Sequence, residues 1–368
     1  MYPFRNLVFQ GGGSKAYAYH GALRVLEMEG ILEPIERVAG TSAGATLATL
    51  LSMRMSVEEI LDFYASFDVD GFNAALSGRA AEHSNPARFL GRLQGNITSV
   101  NRLATRYGWN SMQFMYEWMK EAIVPYCKGN SKATFADFRA WGFRDLYIVT
   151  TNVSKRKTEI FSADRTPDVA VIDALLISQA IPLYFESLQF DGRQFGAGDF
   201  FADGGVMLNY PLQIFDERPF ARNNRWYVNG VNWESLGCRL YTPENCRPER
   251  EPIGNLLSYL QSTLDTLVES QAIAYGMSKS MQRRTINIDD CCTRATDFSI
   301  HPKAGDPQYE QLVASGEAAA YDYLANYVPP LIKPFVPFSL YMDRAWRGIN
   351  KRYAKWRWDN SRSKRESK

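Results

Sequence analysis

Residues 7–54 read LVFQGGGSKAYAYHGALRVLEMEGILEPIERVAGTSAGATLATLLSMR, and one pattern occurs in them twice. A short apolar run, Leu7 to Phe9, stops at Gly11, Gly12 and Gly13, after which Ala18, Ala22, Val25 and Leu26 recur at helical spacing within Ser14 to Glu29. Val38 and Ala39 then lead into Gly40-Thr41-Ser42-Ala43-Gly44, and a second apolar helical stretch runs to about Arg54. Strand, tight loop and helix, repeated within fifty-odd residues, predict an α/β fold of three layers, a mainly parallel central sheet with helices on its faces.

Working outward, strands are expected at Leu146 to Thr151, Glu159 to Ser162 and Trp226 to Val231, with a helix from Val169 to Gln179 that ends before Pro182. A long helix is expected over 255–279 and a strand over Thr285 to Ile288. Residues 70–108 have few apolar periods and several Gly, Asn and Ser, the composition of an irregular insertion or lid. Tyr327 to Tyr341 contains Pro329, Pro330, Pro334 and Pro337, which rules out a continuous helix and ends the main domain, 1–330. A tail, 331–368, completes the chain.

With 45% hydrophobic and 22% charged residues in 368, the chain is neither disordered nor fibrous and is long enough for a large core. Its 13% aromatic content suits surfaces that are half wet and half apolar, lipid-facing ones among them. The five cysteines are odd in number and lack CxxC spacing, so free thiols are expected and no metal. The chain enters a strand almost at once, without room for a secretory signal, which predicts cytoplasmic synthesis. A protein exported without a signal, such as a bacterial effector, would read the same. Val38 to Met53, the longest uncharged stretch near the front, falls short of the roughly 20 residues that span a bilayer.

The net charge of +2 is unevenly placed: Arg344 to Lys368 holds ten Lys or Arg against Asp359 and Glu366. In a helix, Trp346, Ile349, Tyr353 and Trp356 would share one face with cations around them, the pattern of an interfacial helix over 344–358 that meets an anionic membrane. The same stripe would also suit packing on the protein's own body. Nothing else forms a basic patch, so nucleic acid is not an expected partner.

Chemistry concentrates at three places. A serine attacks an acyl group only when its hydroxyl is exposed, deprotonated by a neighbour and faced by donors for the oxyanion. In a GxSxG elbow, Gly40 and Gly44 remove side chains from a sharp strand-to-helix turn and leave Ser42 at a helix N-terminus; a serine there can also be a simple cap. Gly11 to Gly13 expose backbone amides that suit an oxyanion or a phosphate. Gly11, Gly13 and Ala16 also fit a GxGxxA nucleotide turn with Glu33 or Glu36 as ribose partner. For the base there are three histidines, His20, His83 and His301, or Asp203, which follows an apolar run and precedes Gly204 and Gly205. An aspartate there would act near neutral pH if burial raised its pKa.

Together, QGGGSKAYAYHGALRVLE, GTSAGA and DGG, in this order over about residues 5–210, resemble the patatin-like phospholipase family in its bacterial form. Ser178-Gln179-Ala180-Ile181-Pro182, Asn209-Tyr210-Pro211, Thr285 to Ser299 and a helix near Gln311 to Tyr323 are similar to further family segments. The resemblance implies a lipid acyl hydrolase without metal or cofactor, of phospholipase A or lysophospholipase type. It implies Ser42 as nucleophile, Asp203 as general base, and amides of Gly11, Gly12, Gly13 and Ser14 as oxyanion donors. It further implies a phospholipid or lysophospholipid substrate, and leaves open whether activity is constitutive or, as in parts of the family, awaits a protein or small-molecule activator; peripheral membrane association is the expectation from the tail. Ala16 stands where members commonly have glycine, and Lys15 is expected to orient the loop, bind a lipid phosphate or remain solvated. Two rivals stand beside this reading: a Ser42-Asp203-His301 triad esterase, whose chain order fits, and a nucleotide-binding regulatory module without hydrolytic activity.

Overall fold

The computed structural model describes residues 2–76, 107–221, 224–246 and 277–330, with parts of 253–271. An eight-stranded sheet forms its centre. In chain order its strands are β1 (Asn6–Phe9), β2 (Arg37–Thr41), β3 (Asp145–Asn152), β4 (Lys157–Ser162), β5 (Leu188–Phe190), β6 (Asp199–Asp203), β7 (Ser235–Tyr241) and β8 (Thr285–Asp289). Across the sheet they stand β8-β7-β1-β2-β3-β6-β5, and β4 pairs with β3 off this path. The run from β8 to β3 is parallel, whereas β4 and β6 lie antiparallel to β3 and β5 antiparallel to β6.

Alternation along the strands sends Leu7, Phe9, Val38, Leu146, Ile148 and Leu236 to one face. There they pack on α1 (Ala18–Met28), α2 (Ala43–Ser52), α3 (Val57–Ala65) and later helices. Val8, Ala39, Tyr147 and Val149 point to the other face, which Leu212, Ile214, Phe215 and Met281 cover from short 3-10 turns and helical pieces. Burial on both faces explains why these strands read as apolar runs.

The register on β3 decides which strand ends meet. β2 pairs with β3 only as far as Thr41 opposite Val149. From Thr150 onward the same edge is taken by β6, running the other way, with Asp203 opposite Thr150. β4 occupies the opposite edge from Tyr147 to Asn152. The C-terminal ends of β2 and β6 therefore meet head to head beside β3.

Several expectations need correction. Part of the expected irregular insertion is regular: α4 spans Val69–Leu76, and Gly108–Asn110 pairs with Leu183–Phe185; residues 77–106 lie outside the described residues. After α5 (Gln113–Tyr126), α6 (Phe135–Ala140) and α7 (Val171–Ser178), the expected strand Trp226 to Val231 is a small hairpin apart from the sheet. It turns at Asn229 and Gly230, with φ of 52° and 79°, the conformation that Asn-Gly favours. The sheet strand of this region is β7, hidden in the sequence because Gly237 and Arg239 interrupt its apolar run. Of the expected helix 255–279, helical residues are described at 259, 262–263, 266–267 and 269–271, and α8 (Lys279–Gln282) stands separately after it. The last described helix is α9 (Pro307–Ala325), and the tail 331–368 with its expected interfacial helix 344–358 lies outside the described residues.

The cysteines are not all free. Cys246 and Cys292 form a disulfide with Cα atoms 5.2 Å apart, leaving Cys127, Cys238 and Cys291 as thiols. Spacing rules look for nearby pairs, but β7 and β8 are parallel neighbours with Tyr241 opposite Asp289, so the loops that leave them emerge side by side.

Candidate active site

β2 ends at Thr41, and Ser42 turns the chain into α2 with φ 53° and ψ −125°. A side chain at such a φ is strained by about 1–3 kcal/mol and persists only where its surroundings hold it. The flanking glycines are needed for close approach: a Cβ on Gly40 would lie 2.2 Å from the Gly44 carbonyl oxygen, and one on Gly44 would lie 2.6 Å from that of Gln10. The Ser42 amide donates to Ser178 Oγ at 2.9 Å, and its carbonyl accepts from the amides of Ala45 and Thr46 to open α2.

The meeting of β2 and β6 puts Ser42 against Asp203. Ser42 Oγ donates to Asp203 Oδ2 at 2.6 Å, while Oδ1 accepts from the Gly205 amide at 2.6 Å within the Gly204-Gly205 turn. The Asp203 amide donates to the Ala180 carbonyl at 2.8 Å, and the Asp203 carbonyl accepts from Thr151 Oγ1 at 2.9 Å. Ser42 is 8% exposed and Asp203 6%. Burial raises the Asp203 carboxyl to about 6, against the pull of the hydrogen bonds from Ser42 and Gly205.

The glycine loop lies against this pair, since a Cβ on Gly11 would come within 3.2 Å of Ser42 Cβ. Of its four amides expected as donors, two are hydrogen-bonded within the protein. The Gly11 amide donates to the Asn209 carbonyl and the Ser14 amide to the Ala295 carbonyl, so the loop is anchored at both ends by amides that are then spent. Among the described residues the amides of Gly12 and Gly13 have no acceptor. Gly13 has φ 55°, and a Cβ there would lie 1.9 Å from the Ala295 carbonyl oxygen. Lys15 is partly buried and ion-paired: Nζ donates to the buried Asp290 Oδ2 at 2.7 Å and to Thr242 Oγ1 at 3.2 Å.

No histidine is hydrogen-bonded to Ser42 or Asp203 among the described residues. His301 faces Asp306 and Asp70, at 3.8 and 3.7 Å. His20 is enclosed by Tyr17, Tyr64 and Tyr309, and burial drives its pKa down to about 3. His83 lies outside the described residues.

Sequence reasoning missed four partners. Ser178 and Asn209 sat in segments already singled out, so their proximity to the site was a usable signal. Asp290 also lay in a singled-out segment, Thr285 to Ser299, whereas Gln271, which bridges the Gly205 and Val206 carbonyls to the Asn209 amide, comes from far along the chain with no local signature.

The chain resembles known proteins over most of this fold. The patatin-like phospholipase family model matches residues 7–216, from β1 through Ser42 and Asp203 to the turn beyond them. Uncharacterized protein R571 of Acanthamoeba polyphaga mimivirus is 24% identical over 291 residues, 77% of this chain and 82% of that protein. Protein 463L of Invertebrate iridescent virus 6, described as a probable lipid hydrolase, is 24% identical over 228 residues, 61% of this chain and 69% of that protein. Among solved structures, VipD from Legionella pneumophila aligns at 18% identity with a TM-score of 0.49, over 88% of this chain and 67% of VipD.

Proposed function

Because the chain belongs to the patatin-like phospholipase family, and so to the lipid hydrolases, we propose that it releases fatty acid from glycerophospholipid or lysophospholipid through a Ser42-Asp203 dyad. Ser42 Oγ attacks the ester carbonyl carbon as Asp203 takes its proton. The oxyanion accepts hydrogen bonds from the amides of Gly12 and Gly13. Asp203 returns the proton to the departing alcohol oxygen, then removes one from the water that attacks the acyl-Ser42 ester and passes it to Ser42 Oγ as the fatty acid leaves, which restores both residues. The observation that carries this reading is the 2.6 Å hydrogen bond from Ser42 Oγ to Asp203 Oδ2. Support for the base comes from a carboxyl raised to about 6 by burial, within reach of neutral pH.

The reading includes work at a membrane surface, with the basic, aromatic segment 344–358 meeting anionic lipid. No described helix is long and apolar enough to cross the bilayer. The test is fatty-acid release from mixed phospholipid vesicles by wild type, Ser42→Ala, Asp203→Ala and His301→Ala, each checked for folding. Ser42→Ala and Asp203→Ala should lose release and His301→Ala should keep it. A folded but inactive His301→Ala protein would replace the dyad with a triad.

A further inference from the structure

One short segment, the end of α7 and the two residues after it, holds both Ser42 and Asp203. Ser178 Oγ accepts the Ser42 amide hydrogen at 2.9 Å and donates its own to the Val149 carbonyl at 2.7 Å. Two residues on, the Ala180 carbonyl accepts the Asp203 amide at 2.8 Å. Ser178 is fully buried at the end of a helix, Val171–Ser178, that is otherwise apolar but for Asp173. A buried hydroxyl gains little there unless its partners would otherwise stand unpaired. That condition holds: the β2–β3 ladder stops with Thr41 opposite Val149, and the turn at Ser42 carries its amide off the sheet edge.

We propose that Ser178 is a positioning residue for acyl transfer, its hydroxyl holding the Ser42 amide to the Val149 carbonyl and so fixing the strained Ser42 backbone in the conformation that presents Oγ to Asp203. The inference rests on the assignment of Ser42 as nucleophile. It also commits the Ser42 amide, which leaves oxyanion donation to Gly12 and Gly13. Ser178 touches no reacting atom, so its removal should slow the attack without weakening substrate binding.

The test tracks the rate at which a fluorophosphonate labels Ser42, with kcat and KM for vesicle hydrolysis measured beside it. Ser178→Ala should lower the labelling rate and kcat by about 10–100-fold while KM stays within about threefold. Ser178→Cys keeps the shape with a weaker donor and acceptor and should fall between; it also serves if the alanine variant does not fold. If Ser178 only supports the fold, thermal unfolding will shift while the folded variant labels at the wild-type rate, and that result overturns the proposal. Ser42→Ala separates this failure from the other: label that persists in Ser42→Ala means that Ser42 is not the nucleophile, whatever Ser178 does.

Discussion

Asn209 and Gly11 hold each other by two hydrogen bonds: the Gly11 amide donates to the Asn209 carbonyl at 3.1 Å, and Asn209 Nδ2 donates to the Gly11 carbonyl at 3.2 Å. Asn209 lies just beyond the turn that carries Asp203, so this pair fastens the glycine loop to that turn. Gln271 backs it by accepting from the Asn209 amide. Substituting Asn209 by alanine keeps the backbone bond and removes the side-chain bond, leaving a buried carbonyl unpaired. The expected cost is about 1–3 kcal/mol in stability. A fall of roughly tenfold in kcat should accompany it as the oxyanion donors loosen. Thermal unfolding and vesicle hydrolysis check the two effects, and unchanged kcat would detach Asn209 from the loop's function.

As the proposed general base, the buried Asp203 should set a pH dependence. A general base acts as the carboxylate, so activity should rise with pH to half its maximum near 6, where burial has moved this group from its ordinary 3.8. One unit below, kcat/KM should be about tenfold lower. A pH–rate profile flat down to pH 4.5 would mean that another group supplies the base.

The same shift acts on stability with the opposite preference. Folded Asp203 holds its proton up to about pH 6, unfolded Asp203 only to about 3.8, so the stability that the protonated form contributes is complete below 3.8 and lost as pH rises through 6. At neutral pH the ionised carboxylate then costs on the order of 3 kcal/mol. Asp203→Asn removes the charge, keeps the shape and can still accept from Gly205. It should melt higher than wild type at pH 7.5 while losing at least about 100-fold in activity. Equal melting temperatures at that pH would contradict the raised pKa.

Much of this site was legible in the sequence, for identifiable reasons. GxSxG marks Ser42 because Gly40 and Gly44 have no space for a side chain, a local constraint that leaves a local trace. Asp203 was legible as an acid in a turn, but its pairing with Ser42 comes from the register of β2 and β6 on β3, which no local pattern encodes. The Gly-rich loop was recognised, yet the hydrogen bonds that engage the Gly11 and Ser14 amides depend on Asn209 and Ala295, about 200 and 280 residues away. Arg239 and Gly237 hid β7, and Asn229-Gly230 split an apparent strand into a hairpin. The residues proposed to act directly announce themselves through their own geometry, whereas those that hold them do so only through topology.

Lys15 should matter to the fold more than to substrate binding. Its ammonium meets Asp290, whose side chain is 0% exposed and which also accepts from Thr242 Oγ1 and the Cys292 amide. Lys15→Met would strand that carboxylate. Since Lys15 is itself 22% exposed, solvent relieves part of the penalty, and a loss of about 2–3 kcal/mol is expected. Chemical denaturation measures it. A stable variant with a raised KM for phospholipid would instead assign Lys15 to the lipid phosphate.

The disulfide ties this same support together. Cys292 lies two residues beyond Asp290, and three residues before Ala295, whose carbonyl anchors the Ser14 amide; Cys246 fastens that segment to the loop after β7. Oxidised, denatured protein should therefore titrate three thiols of its five cysteines, and a peptide map without reductant should contain a Cys246–Cys292 cross-link. Cys246→Ser with Cys292→Ser should lower stability by about 2–4 kcal/mol, as expected for opening a loop with a sequence separation of 46. Because Ser14 and Lys15 both lean on the tethered segment, kcat should fall in the same variant. Five free thiols in protein purified without reductant would mean that parallel packing of β7 and β8 alone holds the segment beneath the glycine loop.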